Sequence, residues 1–237
     1  MKQLSKNIFQ FTLGYSNIYL LRHYSGLTLV DAATPKTGDK IIGYLKQANF
    51  DLHDIKRIII THAHPDHIGS VDVLQARTGA EVWAHGEEAL VIRGQRKVLR
   101  PQQQDLGFLN RLFLTLPSPT MPKVSVQREL KDAELLAEAY EGLEVVHLPG
   151  HSPGQIGLWI PSEQLLIGGD VMMNVAGRLT QPIRAFTPNP QEARRSIEKV
   201  GRMKLEKLAL GHGPAILSGA DAKVGELLRR LERQKQL

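Results

Sequence analysis

The apolar run Ile58-Ile59-Ile60 stops at Thr61-His62-Ala63-His64-Pro65-Asp66-His67, and this HxHxDH cluster constrains the chain more than any other stretch. Three imidazoles and a carboxylate so close together are costly to assemble unless something cationic holds them. His62 and His64 stand two apart, so an extended backbone sends both side chains to the same side, where one metal ion can take both. Pro65 then bends the chain, and Asp66 and His67 can serve a second ion close by. Imidazole nitrogen and carboxylate oxygen are the donors of catalytic zinc sites. The bland alternative is a solvated histidine-rich loop, and the downstream sequence argues against it.

Three further polar sites recur where an apolar strand ends beside glycine or proline. They are His151 in Pro149-Gly150-His151-Ser152-Pro153-Gly154, Asp170 in Gly168-Gly169-Asp170, and His212 in Gly211-His212-Gly213-Pro214. Glycine-flanked loops let the backbone turn sharply and leave a functional side chain at the rim of a rigid sheet. Either histidine alone reads as a capped loop residue; both together, with a carboxylate, downstream of HxHxDH, read as ligands.

Composition narrows the class. The 237 residues suffice for one large α/β domain or two small ones, and no composition shift or linker divides them, so one domain over 1–237 is expected. Cysteine is absent, which removes disulfides, thiolate nucleophiles and cysteine-ligated zinc. The net charge of +6 is diffuse, part of it in Arg229-Arg230-Leu231-Glu232-Arg233-Gln234-Lys235, and marks no nucleic-acid groove. Val224, Leu227, Leu228 and Leu231 give that terminal helix a stripe to dock with. No run of 18 apolar residues or signal-peptide core occurs, so a membrane span is not expected and the cytoplasm is the expected location.

Taken in order, residues 7–12, 17–24 and 27–31 read as strands. A helix carrying Ile41, Ile42, Leu45 and Ala48 follows Pro35; then come the strand ending at Ile60, a helix over roughly 68–78, and a strand at Glu81-Val82-Trp83-Ala84. Residues 86–123 break the rhythm. Gly94 and Pro101 interrupt a helical start, and an apolar stretch from Phe108 to Leu116 runs into Pro117, Pro119 and Pro122. This reads as a helical and loop insertion over the pocket, with core packing or a contact between two copies as equal alternatives. The second half repeats the first in outline: a strand at 143–148, a hairpin of 155–160 and 164–167, a helix capped by Asn189 with Pro190 at its first position, and a strand at 208–210.

Asn17-Ile18-Tyr19-Leu20-Leu21, Leu29-Val30-Asp31, Thr61 to Gly69, Pro149 to Gly157, Gly168-Gly169-Asp170 and Gly211-His212-Gly213 together resemble the metallo-β-lactamase superfamily, in particular its glyoxalase II type of dinuclear site. The resemblance implies a four-layer αββα sandwich, two mixed sheets packed face to face with helices outside. It implies one metal ion on His62, His64 and His151, a second on Asp66, His67 and His212, and Asp170 bridging them. Asp31 matches a position whose carboxylate orients a ligand histidine; a plain strand-end turn residue is the other reading. Two divalent ions about 3.5–4 Å apart share a water and make hydroxide available at neutral pH. Two carboxylates leave such a centre net positive, which favours an oxyanion developing on the substrate. Asp66 is then the catalytic residue, orienting the nucleophile and carrying a proton toward the leaving group. Zinc is the expected ion; iron, manganese or cobalt fit the same donors. His23, His53, His85 and His147 have no partner motif and read as structural or surface residues.

For the substrate, Asp170 argues against β-lactams, since the true class B β-lactamases lack an aspartate at the bridging position. The expected reaction is hydrolysis of a carboxylic ester-type bond in a small molecule, a lactone or thioester with a hydrophobic acyl group. Phe108, Phe113, Met172 and Met173 are the candidate contacts for that group. N-acyl homoserine lactonases share the ligand set but present a tyrosine after the bridging aspartate, and Val171-Met172-Met173-Asn174 offers none. The alternatives are a phosphodiesterase or nuclease with the same centre and a non-catalytic metal-bound scaffold.

Overall fold

The computed structural model describes residues 1–102, 106–107 and 120–234, so Phe108 and Phe113 lie outside the described residues. In chain order the first half gives strands β1 (Lys2–Ser5), β2 (Ile8–Leu13), β3 (Ser16–His23) and β4 (Gly26–Val30), then helix α1 (Gly38–Gln47) and β5 (Ile55–Ile60). Helices α2 (Pro65–Ile68) and α3 (Val71–Thr78), β6 (Glu81–His85), α4 (Gly86–Ile92) and β7 (Arg128–Leu130) follow. The second half gives β8 (Glu144–His147), β9 (Ile156–Ile160), β10 (Leu165–Ile167), the short hairpin β11 (Met173–Val175) and β12 (Arg178–Thr180), helix α5 (Pro190–Val200), β13 (Lys207–Ala209) and α6 (Ala220–Arg233).

Strands β1 to β7 form one mixed sheet in sequence order, antiparallel through β4 and parallel from β4 to β7. The second mixed sheet runs β13-β10-β9-β8, with only the β10–β13 pair parallel.

Alternation along the strands builds the layers. In β5, Ile58 and Ile60 join Ile41, Leu45, Val71, Leu74 and Ile92 in a core beneath the helices, while Ile59 points the other way. There it meets Tyr19 and Leu21 of β3 and, from the facing sheet, Val145, Ile156, Leu158 and Ile167. Val146, Leu148 and Leu166, on the far face of that second sheet, pack against Ile197, Val200, Val224, Leu227 and Leu231 of α5 and α6. Three apolar seams between four layers give the expected αββα sandwich. Each fully buried aliphatic side chain contributes about 1.5–3 kcal/mol, so the layers supply a rigid base for polar loops at one end.

The differences from the sequence reading are local. The third strand stops at Val30 because Asp31 adopts φ +65°, a left-handed turn that carries its carboxylate inward. The helix expected over 68–78 is two, α2 and α3, broken at Gly69-Ser70. Strands β1, β7 and the β11–β12 hairpin were not anticipated. Both β1 and β7 lie at sheet edges and carry charged or polar residues, Lys2, Gln3, Arg128 and Glu129, which hides the apolar pattern. The halves are also unequal, since the first supplies all strands of the larger sheet. Within 86–123, helix α4 buries Ala89, Val91 and Ile92 in the core under the first sheet, with Val98 and Met121 packed against it. No helix among the described residues is long and apolar enough to cross a membrane.

Candidate metal centre

All the singled-out His and Asp side chains sit on loops that leave the sheets at the same end. His62 and His64 follow β5, and Asp66 and His67 ride on α2, whose first residue is Pro65. His151 lies between β8 and β9, Asp170 follows β10, and His212 follows β13. Backbone bonds tie these loops together: Ile156 N–H donates to Thr61 O (3.0 Å), Gly211 N–H to Gly169 O (2.8 Å), and Asn17 N–H to Gly211 O (2.9 Å). The close approach requires glycine at 211, where a Cβ would come within 2.0 Å of Asp170 Oδ1.

The outcome is three overlapping groups whose donor atoms lie within 4.8 Å of one another: His62, His64 and His151; His62, His67 and Asp170; and Asp66, His67 and His212. Asp170 spans them. Its Oδ2 lies 3.0 Å from His212 Nε2 and 3.5 Å from His151 Nε2, and its Oδ1 lies 3.5 Å from His67 Nε2. Asp66 Oδ2 stands 3.3 Å from His212 Nε2, and this side chain, 21% exposed, is the most open of the four carboxylate and imidazole groups in its neighbourhood.

Nδ1 of each of four imidazoles is turned outward to a partner. His67 Nδ1 donates to Asp31 Oδ2 (2.8 Å), which also accepts from Thr61 Oγ1 (2.8 Å), while Asp31 Oδ1 accepts from Thr61 N–H (2.8 Å). His62 Nδ1 meets Thr61 Oγ1 (3.2 Å), His151 Nδ1 meets Thr187 Oγ1 (3.2 Å), and His212 Nδ1 donates to the carbonyl of Tyr15 (2.8 Å). That leaves each Nε2 facing inward, the arrangement expected of metal-bound imidazoles.

Nε2 of His62, His67 and His151 and Oδ1 of Asp170 are buried and have no hydrogen-bond partner among the described residues. An unpaired buried polar atom costs about 1–3 kcal/mol. Several facing one point are retained where cations accept their lone pairs, so the donor set fits divalent metal ions.

The electrostatics divide the site. Burial and the neighbouring imidazoles hold His62 well below the usual histidine range, and they bring His64 to about 3. Burial likewise lowers His151, to about 4, against the opposing pull of Asp170. At the other group burial is outweighed: Asp170, Asp31 and Asp66 lift His67 to about 9, and Asp170 and Asp66 lift His212 to about 11. Burial works against the charge on Asp66 too, but His67 and His212 hold its carboxyl below the usual range.

Sequence reasoning passed over Glu88, Thr187 and the carbonyl of Tyr15. Glu88 is buried, and its Oε2 accepts from Ala63 N–H (2.7 Å) while its Oε1 accepts from Gly154 N–H (2.7 Å). A signal existed: Glu88 stands four before Ile92, on the face of α4 that enters the core. Met172 needs correcting as a substrate contact. It is wholly enclosed in the seam between the second sheet and its helices, and only Met173, half-buried, reaches outward. His85 and His147 stack on one another, rings 4.5 Å apart, with His147 Nε2 donating to Pro153 O (3.0 Å). His23 pairs with Ser25, and His53 stays exposed beside Asp51.

Residues 11–212 match the metallo-β-lactamase superfamily. The chain is 27% identical to the probable metallo-hydrolase YflN of Bacillus subtilis, over 97% of this chain and 92% of that one. It is 29% identical to the acyl-coenzyme A thioesterase MBLAC2 of Gallus gallus, over 65% of this chain and 55% of that one. Among solved structures, TTHA1623 in a di-iron-bound form superposes with a TM-score of 0.65 at 25% identity, covering 94% of this chain and 96% of that one. The family match runs from β2 to His212 and takes in every loop that contributes to the convergence, and by it the chain belongs to the metallo-β-lactamase superfamily as a metal-dependent hydrolase.

Proposed function

We propose that the chain hydrolyses a carboxylic ester-type bond, a thioester or lactone carrying a hydrophobic acyl group, at a centre of two divalent ions. The observation that carries the reading is the set of inward-facing donors, Nε2 of His62, His67 and His151 and Oδ1 of Asp170, left without hydrogen-bond partners among the described residues. His62, His64 and His151 would hold one ion, Asp66, His67 and His212 the other, and Asp170 both. Zinc is the expected metal, and the di-iron form of TTHA1623 supports a two-ion count and iron as an alternative. When bound, the ions lower the pKa of water and polarise the substrate carbonyl oxygen.

The chain's own groups supply the rest. Asp66 lies at the open side of the centre, with Oδ2 turned to His212, and its carboxylate accepts a hydrogen bond from the attacking water and so aims it. Held ionised by its imidazole neighbours, Asp66 is suited to orienting that water and passing its proton on to the departing thiolate or alkoxide. Asp31, Thr187 and the Tyr15 carbonyl fix the rings of His67, His151 and His212 by their Nδ1 hydrogen bonds. The apolar acyl side rests on the exposed Ile183 and Phe186 before Thr187, on Tyr15 over His212, and on Met173. Similarity to an acyl-coenzyme A thioesterase favours the thioester member of this class.

The test is a parallel assay of metal-loaded protein on an acyl thioester, an acyl homoserine lactone, p-nitrophenyl esters and bis(p-nitrophenyl) phosphate. Thioester or lactone turnover, rising with acyl length, is the expected result. Turnover of the phosphodiester alone would make the chain a phosphodiesterase, and turnover of none would make it a scaffold.

A further inference from the structure

We propose that Glu88 is a positioning residue that sets the distance between the His62–His64 pair and His151. Its role rests on the reading that these three histidines hold one metal ion.

Ala63 lies between His62 and His64, so a hydrogen bond to its N–H holds the backbone that carries both rings. Gly154 ends the loop that carries His151. Glu88 accepts from both N–H groups at 2.7 Å, one per carboxylate oxygen. The two loops leave different sheets, β5 in the first and β8 in the second, and the Glu88 carboxylate spans them from a helix that belongs to neither loop. Its helix is anchored by Ala89, Val91 and Ile92 in the core, so the carboxylate is a fixed spacer.

Gly154 completes the geometry. A Cβ there would stand 2.7 Å from His85 Nδ1 and 2.8 Å from Glu87 Cβ, so only glycine lets this backbone approach α4 closely enough. Both of these hydrogen bonds go to the loops of His62, His64 and His151, whereas on the Asp66–His67–His212 side it is Asp31 that bonds His67. Asp31 and Glu88, both buried, thus act on different parts of the centre: Asp31 bonds the His67 ring directly and reaches His62 only through Thr61, while Glu88 holds backbone on the His62–His64 and His151 loops.

This division makes the proposal testable apart from activity. Glu88→Gln keeps the shape but replaces one accepting oxygen with an NH2 that faces a backbone N–H. Zinc affinities of chelator-stripped protein would be measured by competition with a chromophoric chelator, alongside cobalt(II) visible spectra and amide exchange of Ala63 and Gly154. The expected result is faster exchange at both amides, an altered cobalt spectrum, and a loss of about 10–100-fold in affinity for one ion of the two, the range for partners that orient ligands. The half-buried neighbour Glu87, whose carboxylate pairs with Arg96 rather than with either loop, should match wild type as Glu87→Gln.

Unchanged affinity for both ions in a folded Glu88→Gln protein would overturn the proposal. Equal weakening of both ions with a lowered melting temperature would also overturn it, because that is general loosening. Wild-type protein that takes up no zinc while Ala63 and Gly154 stay protected would refute the metal reading itself and reduce Glu88 to a loop clamp. If Glu88→Gln does not fold, Glu88→Asp, one methylene too short to reach both amides, is read the same way.

Discussion

The two halves of the site are built from similar residues and behave oppositely. His62, His64 and His151 meet a carboxylate at Asp170, yet burial and mutual repulsion outweigh it and keep the rings neutral, His64 at about 3 and His151 at about 4. His67 and His212 share theirs with Asp66, Asp170 and Asp31, and the rings are lifted to about 9 and about 11. The first group is ready to donate lone pairs at neutral pH. The second must shed protons first. What separates them is where the carboxylates fall: Asp170 closest to His212, at 3.0 Å, Asp66 directly before His67, and Asp31 turned inward by its left-handed backbone onto His67 Nδ1.

The strongest way to break this picture is to remove one proposed ligand from each half. His64→Ala and Asp66→Ala should each cut kcat/KM by more than the ~100-fold that orienting partners are worth, while the stripped protein stays folded because the three apolar seams are untouched. A collapse of the fold in either variant would show that these side chains hold the sandwich together.

Next in size is Asp31→Asn, the mirror of the Glu88 variant. It removes the negative charge beside His67 Nδ1 and one acceptor for Thr61, so the ion on the Asp66–His67–His212 side should weaken by about 10–100-fold with the other retained. Loss at the His62–His64–His151 side instead would reverse the division of labour.

Acidity sharpens the contrast. The ordinary histidine value is 6.5 and both His67 and His212 lie above it, so their ion pairs stabilise the stripped protein fully below pH 6.5. That stabilisation should fade as pH rises through about 9 and then about 11, seen as a falling melting temperature between pH 6 and pH 10. Metal uptake should show the converse: one ion binds more tightly as pH rises toward 9, and the other is indifferent above about pH 5 because His64 and His151 are already neutral there. A flat melting temperature over that range would contradict the charge assignment.

The smallest effect is expected at His147. Its ring stacks on His85 and binds Pro153 O, outside the convergence, so His147→Gln should change kcat/KM by only a few-fold, within the range of an ordinary surface change. Equal losses at His147 and His64 would mean the histidines are wrongly sorted.

Much of this was legible in the chain because the donors announce themselves locally. HxHxDH is contiguous, and His151, Asp170 and His212 each follow an apolar strand beside glycine or proline. The layers followed from alternation, as with Ile58, Ile59 and Ile60 dividing between two seams. Glu88 was passed over because its partners are backbone amides 25 and 66 residues away, so its spacing to Ile92 marks it as inward-facing without showing what it binds. Met172 and Met173 look alike in sequence, and only the placement of β11 shows that the first is core and the second is half-exposed. Edge strands with charged residues hide their period for the same reason: one face has no apolar neighbour to meet.

The most direct measurement is anomalous scattering from crystals of the protein loaded with zinc. The account predicts two peaks per chain, one among His62, His64 and His151, one among Asp66, His67 and His212, with Asp170 touching both. A single peak, peaks elsewhere, or His151, Asp170 or His212 turned away from the metal would contradict it.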